Sequence, residues 1–155
     1  MRISSLIVEK DAPALHKKAE PINFDDPADV ALAMKVAGEM VKAFADSDAV
    51  GLAAPQLGYS LRIIIVGQFL MINPLWGIAK GNRQRSIEGC LSIPGKMYTV
   101  ERFPWVSVTY QDQYGKTRFA KFDGLAARVV QHELDHLNGV LISRGTEETS
   151  GKAEV

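Results

Sequence analysis

The run Gln131-His132-Glu133-Leu134-Asp135-His136 sets two imidazoles four positions apart, with a carboxylate next to the first. On a helix such residues share one face about 6 Å apart, so both rings can hold one cation while Glu133, one step round, reaches a water on it. A hydrolytic ion also needs a third protein ligand and an open position. The sole cysteine, Cys90, lies in Glu88-Gly89-Cys90-Leu91-Ser92 and offers a thiolate, whereas the remaining histidine, His16, stands in a polar stretch without metal-like neighbours. A third segment, Gly51-Leu52-Ala53-Ala54-Pro55-Gln56, joins small residues that let a substrate backbone approach to an amide able to donate to an oxyanion. Each feature has a plainer reading in isolation. Two helical histidines can be satisfied surface residues, a lone cysteine is more often a small buried hydrophobe, and Ala-Ala-Pro is usually a turn.

These segments need elements to position them. Asp26 before Pro27 reads as a helix cap, and Val30, Met34, Ala37, Val41 and Phe44 recur at helical spacing to about Ala45. Residues 49–58 are too irregular for a helix and read as a backbone-exposing loop. Arg62 to Val66 and Phe69 to Ile72 are strand-like, with Asn73-Pro74 as a stop. Val106 to Phe122 alternates as a hairpin around Gln113-Tyr114-Gly115-Lys116. Asp123 then reads as the cap of a second helix on which Leu125, Val129, His132 and His136 share a face, with Gly139 as its terminator. The expected architecture is α+β: antiparallel strands packed around a central metal-binding His-Glu-x-x-His helix, with one N-terminal helix. Residues 1–145 are expected to form a single catalytic domain, and 146–155, small and polar without periodicity, a disordered tail.

Bulk properties narrow the function classes. A chain of 155 residues can bury about two thirds of its unfolded surface in one domain. With 46% hydrophobic and 23% charged residues it is an ordinary globular composition, which excludes disorder as the default. Lys plus Arg and Asp plus Glu balance at 18 each, which argues against direct nucleic-acid binding. Apolar runs such as Ile63-Ile64-Ile65-Val66 are far short of the ~20 residues that span a bilayer, so no membrane association is expected. The N-terminal stretch lacks a signal-peptide pattern, and one cysteine permits no intrachain disulfide; both fit a cytoplasmic protein.

Taken together and in order, Gly-Leu-Ala-Ala-Pro-Gln at 51–56, Glu-Gly-Cys-Leu-Ser at 88–92 and Gln-His-Glu-Leu-Asp-His at 131–136 resemble the three motifs of peptide deformylases, and the likeness extends over about residues 3–143. The resemblance implies hydrolysis of the N-formyl group from the formyl-methionine of nascent proteins, with a formyl-methionyl peptide as partner and a monomeric state. It implies one divalent ion held by Cys90, His132 and His136: Fe²⁺ in the cell, with Zn²⁺, Ni²⁺ or Co²⁺ as alternatives. Donor types alone would suggest zinc. Glu133 would move the proton, and Gln56 with the Leu91 backbone N–H would meet the charge on the formyl oxygen. Val50, Gly51, Gly89, Leu125 and Val129 would contact substrate, although periodic apolar residues such as Leu125 and Val129 also suit plain helix core. Glu88 would pair with Arg102 to brace the loop carrying Cys90, against the alternative of a surface pair worth under about 1 kcal/mol.

The family commonly opens its first motif Gly-x-Gly, where this chain has Ala49-Val50-Gly51, and many bacterial members continue with a further helix where this chain has 16 residues after Gly139. In this the chain resembles compact members encoded by bacterial viruses. Two rival readings remain. A zinc peptidase would take its third ligand downstream of His136, where only Glu147, Glu148 and Glu154 are available. A structural metal site would need a fourth protein ligand and no general base.

Overall fold

The computed structural model describes residues 2–149 and 153. Its elements are helix α1 (Pro27–Ala45), strands β1 (Gly51–Ala53), β2 (Ile63–Val66), β3 (Phe69–Lys80), β4 (Gln84–Cys90), β5 (Ile93–Arg102), β6 (Trp105–Gln111) and β7 (Thr117–Asp123), helix α2 (Gly124–Leu137), and β8 (Thr146–Glu148). The strands form an antiparallel five-stranded sheet, β1-β2-β3-β6-β7, and an antiparallel three-stranded sheet, β4-β5-β8. No helix among the described residues is long and apolar enough to cross a membrane.

Helix α2 lies between these two sheets. Ala127, Val130, Leu134 and Leu137 bury one stripe against Ile64, Val66, Met71, Val106, Val108 and Phe122 of the large sheet. Helix α1 covers the opposite face of β2, where Ile63, Ile65 and Ile72 meet Ala33, Val36, Met40 and Ala43. Strand β2 is thus buried on both faces, which explains its unbroken β-branched run instead of an alternation. A third cluster, including Leu15, Cys90, Ile93, Tyr98, Val100 and Ile142, packs under the small sheet.

Both helices keep their expected bounds, and the Asp26 side chain accepts from Ala28 N at the start of α1. The buried stripe of α1 is rotated from the expected one: Ala33, Val36, Ala37, Met40 and Ala43 face inward and Val41 is exposed. Asp123 occupies the N-cap position of α2 but its side chain makes no capping hydrogen bond; the helix instead begins at Gly124, whose φ of 53° turns the chain out of β7. At the other end Gly139 N–H donates to His136 O and Val140 N–H to Asp135 O, with Gly139 at φ 73°, the Schellman arrangement its position suggests.

Three expectations about strands are corrected. Gly51–Ala53 is a strand, paired Gly51↔Val66 to Ala53↔Ile64, and only Ala54–Leu57 makes the irregular 3₁₀ turn. Asn73-Pro74 does not stop β3: a register shift between Ile72 and Leu75 absorbs the missing N–H, with Asn73 at φ 52° and its amide bonded to Ile22 and Gln111. Thr146–Glu148 is a strand rather than tail, held by pairing to Met97–Thr99, by Thr99 Oγ1 donating to Glu148, and by Lys96 facing Glu147. Of the remaining expected tail, residues 150–152, 154 and 155 lie outside the described residues.

Candidate active site

Because α2 runs between two sheets, its polar side is also buried: His132 is 5% exposed, Glu133 2% and His136 1%. Strand β4 ends at Cys90, past a register shift after Glu88, and Leu91-Ser92 turn the chain into β5. This brings the Cys90 sulfur to the two histidines of the helix. One ligand atom from each of Cys90, His132 and His136 lies within 4.8 Å of the others, and Cys90 Sγ is 3.5 Å from His136 Nε2.

The donor set fits a transition-metal ion. One sulfur and two imidazole nitrogens converging within 4.8 Å are donors that such an ion takes. His132 Nδ1 is occupied by Glu88 Oε1 at 2.8 Å, which leaves Nε2 for an ion. Two buried polar atoms have no hydrogen-bond partner among the described residues, Glu133 Oε1 and His136 Nδ1. An unpartnered carboxylate oxygen beside three convergent donors is where a proton acceptor for a bound water would stand.

Charge at the site follows from burial. Desolvation pushes the Glu133 carboxyl up to about 7, against the pull of His132. His136 is driven well below the ordinary imidazole range by burial and by the charge on His132. For His132 burial acts downward, but hydrogen bonds with Cys90 and Glu88 prevail and raise it to about 10. The two rings diverge because they sit 5.0 Å apart and cannot both carry a proton comfortably. A cation among the donors would replace that proton.

Gln56, 2% exposed, is aimed into the site: its Oε1 accepts from Ala53 N–H, which turns Nε2 toward Cys90 Sγ at 3.6 Å and Ser92 Oγ at 3.4 Å. Gln56, Val50, Gly51, Gly89, Leu91, Cys90, His132 and Glu133 line one cavity of about 240 Å³, together with Ala49, the position that departs from Gly-x-Gly. A second, mostly apolar groove of about 370 Å³ adjoins it through Val50 and is walled by Val66, Phe69, Phe122, Leu125 and Val129. Val129 is core as well, at 3% exposure, whereas Leu125 at 50% is not, so the plain-core reading fails for Leu125 alone. Every candidate site residue read from the sequence therefore lies at one of these two adjoining cavities, except His136, which sits beneath the metal cavity as a donor.

The Glu88–Arg102 pair is buried, not superficial. Its members are 0% and 4% exposed, with Arg102 Nε and Nη2 donating to the two carboxylate oxygens at 3.0 and 2.9 Å. Despite burial, which acts upward, hydrogen bonds from His132 and Arg102 hold the Glu88 carboxyl down at about 2. Sequence reasoning missed three members of this network. Arg128 donates to Glu88 Oε2 at 2.6 Å, and Asp135 accepts from Arg102 at 2.5 Å and from Arg144 at 3.1 Å. The available signal was Arg128 interrupting the apolar run Ala126-Ala127-Arg128-Val129-Val130, one turn ahead of His132.

A thiolate and two imidazoles converging beside a buried carboxylate, at the mouth of a cavity, define a metal-dependent hydrolase. The model of the polypeptide deformylase family matches residues 5–150. A peptide deformylase of Dictyoglomus thermophilum is 40% identical over 142 residues, covering 88% of this chain and 90% of that protein. One of Desulfitobacterium hafniense is 37% identical, covering 93% and 95%. Among solved structures, the Thermotoga maritima peptide deformylase superposes with a TM-score of 0.81 at 35% identity over 94% of this chain and 98% of that one. An actinonin-bound class I type b deformylase from Acinetobacter baumannii gives 0.82 at 31% identity over 92% and 98%. The chain belongs to the polypeptide deformylase family, metallohydrolases that remove N-formyl groups.

Proposed function

We propose that the catalytic domain, extended past residue 145 to include β8, acts on the formyl-methionine of nascent proteins, with Cys90, His132 and His136 holding the ion and Glu133 moving the proton. The observation that carries this is the unpartnered Glu133 oxygen beside three convergent metal donors. The ion, when bound, supplies the Lewis acidity that makes water a nucleophile near neutral pH. Iron(II) is the cellular ion in this reading, with zinc, nickel or cobalt as substitutes; a soft thiolate with two imidazoles suits any of them.

Glu133 accepts a proton at its buried, otherwise unpartnered carboxylate oxygen and returns it to the departing amine. Gln56 Nε2 and the Leu91 N–H donate to the formyl oxygen as negative charge builds there. The groove of Val50, Leu125 and Val129 takes the methionine side chain, whose flexible thioether fits an irregular apolar slot. Gly51 and Gly89 leave room for the substrate backbone beside the donors. The substrate class goes with a monomer acting in the bacterial cytoplasm, without direct contact to nucleic acid or membrane.

The peptidase alternative loses support because Glu147 and Glu148 are engaged in β8, with Lys96 and Thr99; Glu154 lies outside the described residues. The deciding experiment is formate release from formyl-Met-Ala-Ser by anaerobically purified, metal-analysed protein, with Glu133→Ala as control. Release by the parent and loss in the variant support the reading. No release by fully loaded parent overturns it.

A further inference from the structure

Glu88 has both oxygens doubly engaged. Oε1 accepts from His132 Nδ1 and Arg102 Nη2 at 2.8 and 2.9 Å; Oε2 accepts from Arg102 Nε and Arg128 Nη1 at 3.0 and 2.6 Å. Arg102 already grips the carboxylate at two points, while its third nitrogen, Nη1, donates to Asp135. A second guanidinium taken out of water on the same anion is costly, and 7% exposure leaves Arg128 little solvent. Its remaining bonds say what it does there. Arg128 Nη1 also donates to Val100 O at 3.0 Å, and Nη2 to Gln84 O at 2.6 Å. One side chain of α2 thus holds β4 at both Gln84 and Glu88, and β5 at Val100. Strand β4 ends in Cys90 and α2 carries both histidines, so Arg128 joins the two elements whose separation sets the distances among the three donors.

We propose that Arg128 is a positioning residue of the metal centre, one that clamps Glu88 onto His132 Nδ1 and fixes the spacing of Cys90 from the helix. Holding Nδ1 as a donor keeps the Nε2 lone pair directed at the ion, and such outer partners govern metal retention. The second cation also draws charge from Glu88 and moderates its push on the imidazole. This rests on the metal-dependent reading of Cys90, His132 and His136.

The test uses Co²⁺-loaded protein, whose visible absorption reports ligand geometry and whose release to a chelator reports retention. Arg128→Met, which keeps the stem and loses every hydrogen bond, should shift the absorption band and release cobalt about 10- to 100-fold faster. It should lower kcat more than it raises KM. Arg128→Lys should recover part of the retention. In a Glu88→Gln background the Arg128→Met effect on release should shrink severalfold, since the clamped carboxylate is already lost. A folded Arg128→Met protein with the parental spectrum and release rate overturns the proposal, as does an undiminished effect in the Glu88→Gln background. If Arg128→Met does not fold, Arg128→Lys decides: parental release overturns the proposal, and faster release with a shifted band supports it. A parent that neither takes up cobalt nor releases formate would overturn the underlying reading instead.

Discussion

Gly51 and Glu133 meet across the cleft: a Cβ built on Gly51 would stand 2.5 Å from Glu133 Oε2 and 2.7 Å from Val129 Cγ1. Side chains do not tolerate such separations, so the carboxylate keeps its place only because residue 51 has none. Gly51→Ala should displace the carboxylate and lower kcat by about 10²-fold, the scale on which misplacement of a reacting group acts. Metal content should stay parental, because the atoms that a Cβ there would strike belong to Glu133 and Val129 and not to a donor. Parallel kcat and metal determinations check this, and a parental kcat would show that the carboxylate works from elsewhere.

Gln56 is bonded through its oxygen to Ala53 N–H, which leaves its NH₂ as the only part aimed at the cavity. Gln56→Ala should lower turnover about 10²- to 10³-fold, as loss of a preorganised oxyanion donor does. Retained metal should fall far less. Equal losses of metal and turnover would instead make Gln56 a brace for Cys90, which its Nε2 approaches at 3.6 Å.

Glu88 predicts acid sensitivity. Its folded-state value of about 2 lies below the ordinary 4.5, so its stabilising contribution is complete above about 4.5 and is lost as pH falls toward about 2. The contribution is on the order of 3 kcal/mol, discounted somewhat for its shared network. Urea unfolding of metal-free parent and Glu88→Gln between pH 7 and pH 3 isolates it, because glutamine does not titrate. The stability gap between the two should narrow on acidification; a constant gap would contradict the assignment.

The chemistry was legible because its signals are local. His-Glu-x-x-His needs only helical spacing, and Asp26-Pro27 sets a capping side chain beside a first-turn proline just ahead of a helical apolar pattern. The small sheet was not legible, for a definite reason. In β4 and β5 the inward positions include Glu88 and Arg102, so the alternation that announces a strand runs through an ion pair instead of apolar side chains. Strand β8 is similar, held by ladder bonds and two polar contacts without apolar burial. The stripe of α1 was misplaced because apolar residues lie on more than one side of the helix, and the side packed against β2, with Val36 and Met40 among alanines, is not the one that carries Val41. Pro74 misled because a bulge with Asn73 at positive φ lets a strand pass a proline, a device invisible until Ile22 and Gln111 are seen to satisfy the Asn73 amide.

Leu125 separates recognition from packing. It is half exposed on the groove beside the metal cavity, while Val129 on the same wall is buried in the core. Leu125→Ala should cost under about 1 kcal/mol of stability, as expected for a side chain that folding leaves largely in water. Its kcat/KM for a formyl-Met peptide should fall about 10-fold, the scale of a lost apolar pocket contact, and its preference over a formyl-Ala peptide should narrow. Val129→Ala, by contrast, should lower the melting temperature as well, since it opens space between α2 and the large sheet. Thermal melts with kinetics on both peptides distinguish these outcomes. Should Leu125→Ala keep its methionine preference intact, the groove is not where the methionine side chain binds, and Val50 would have to direct it toward the metal cavity instead.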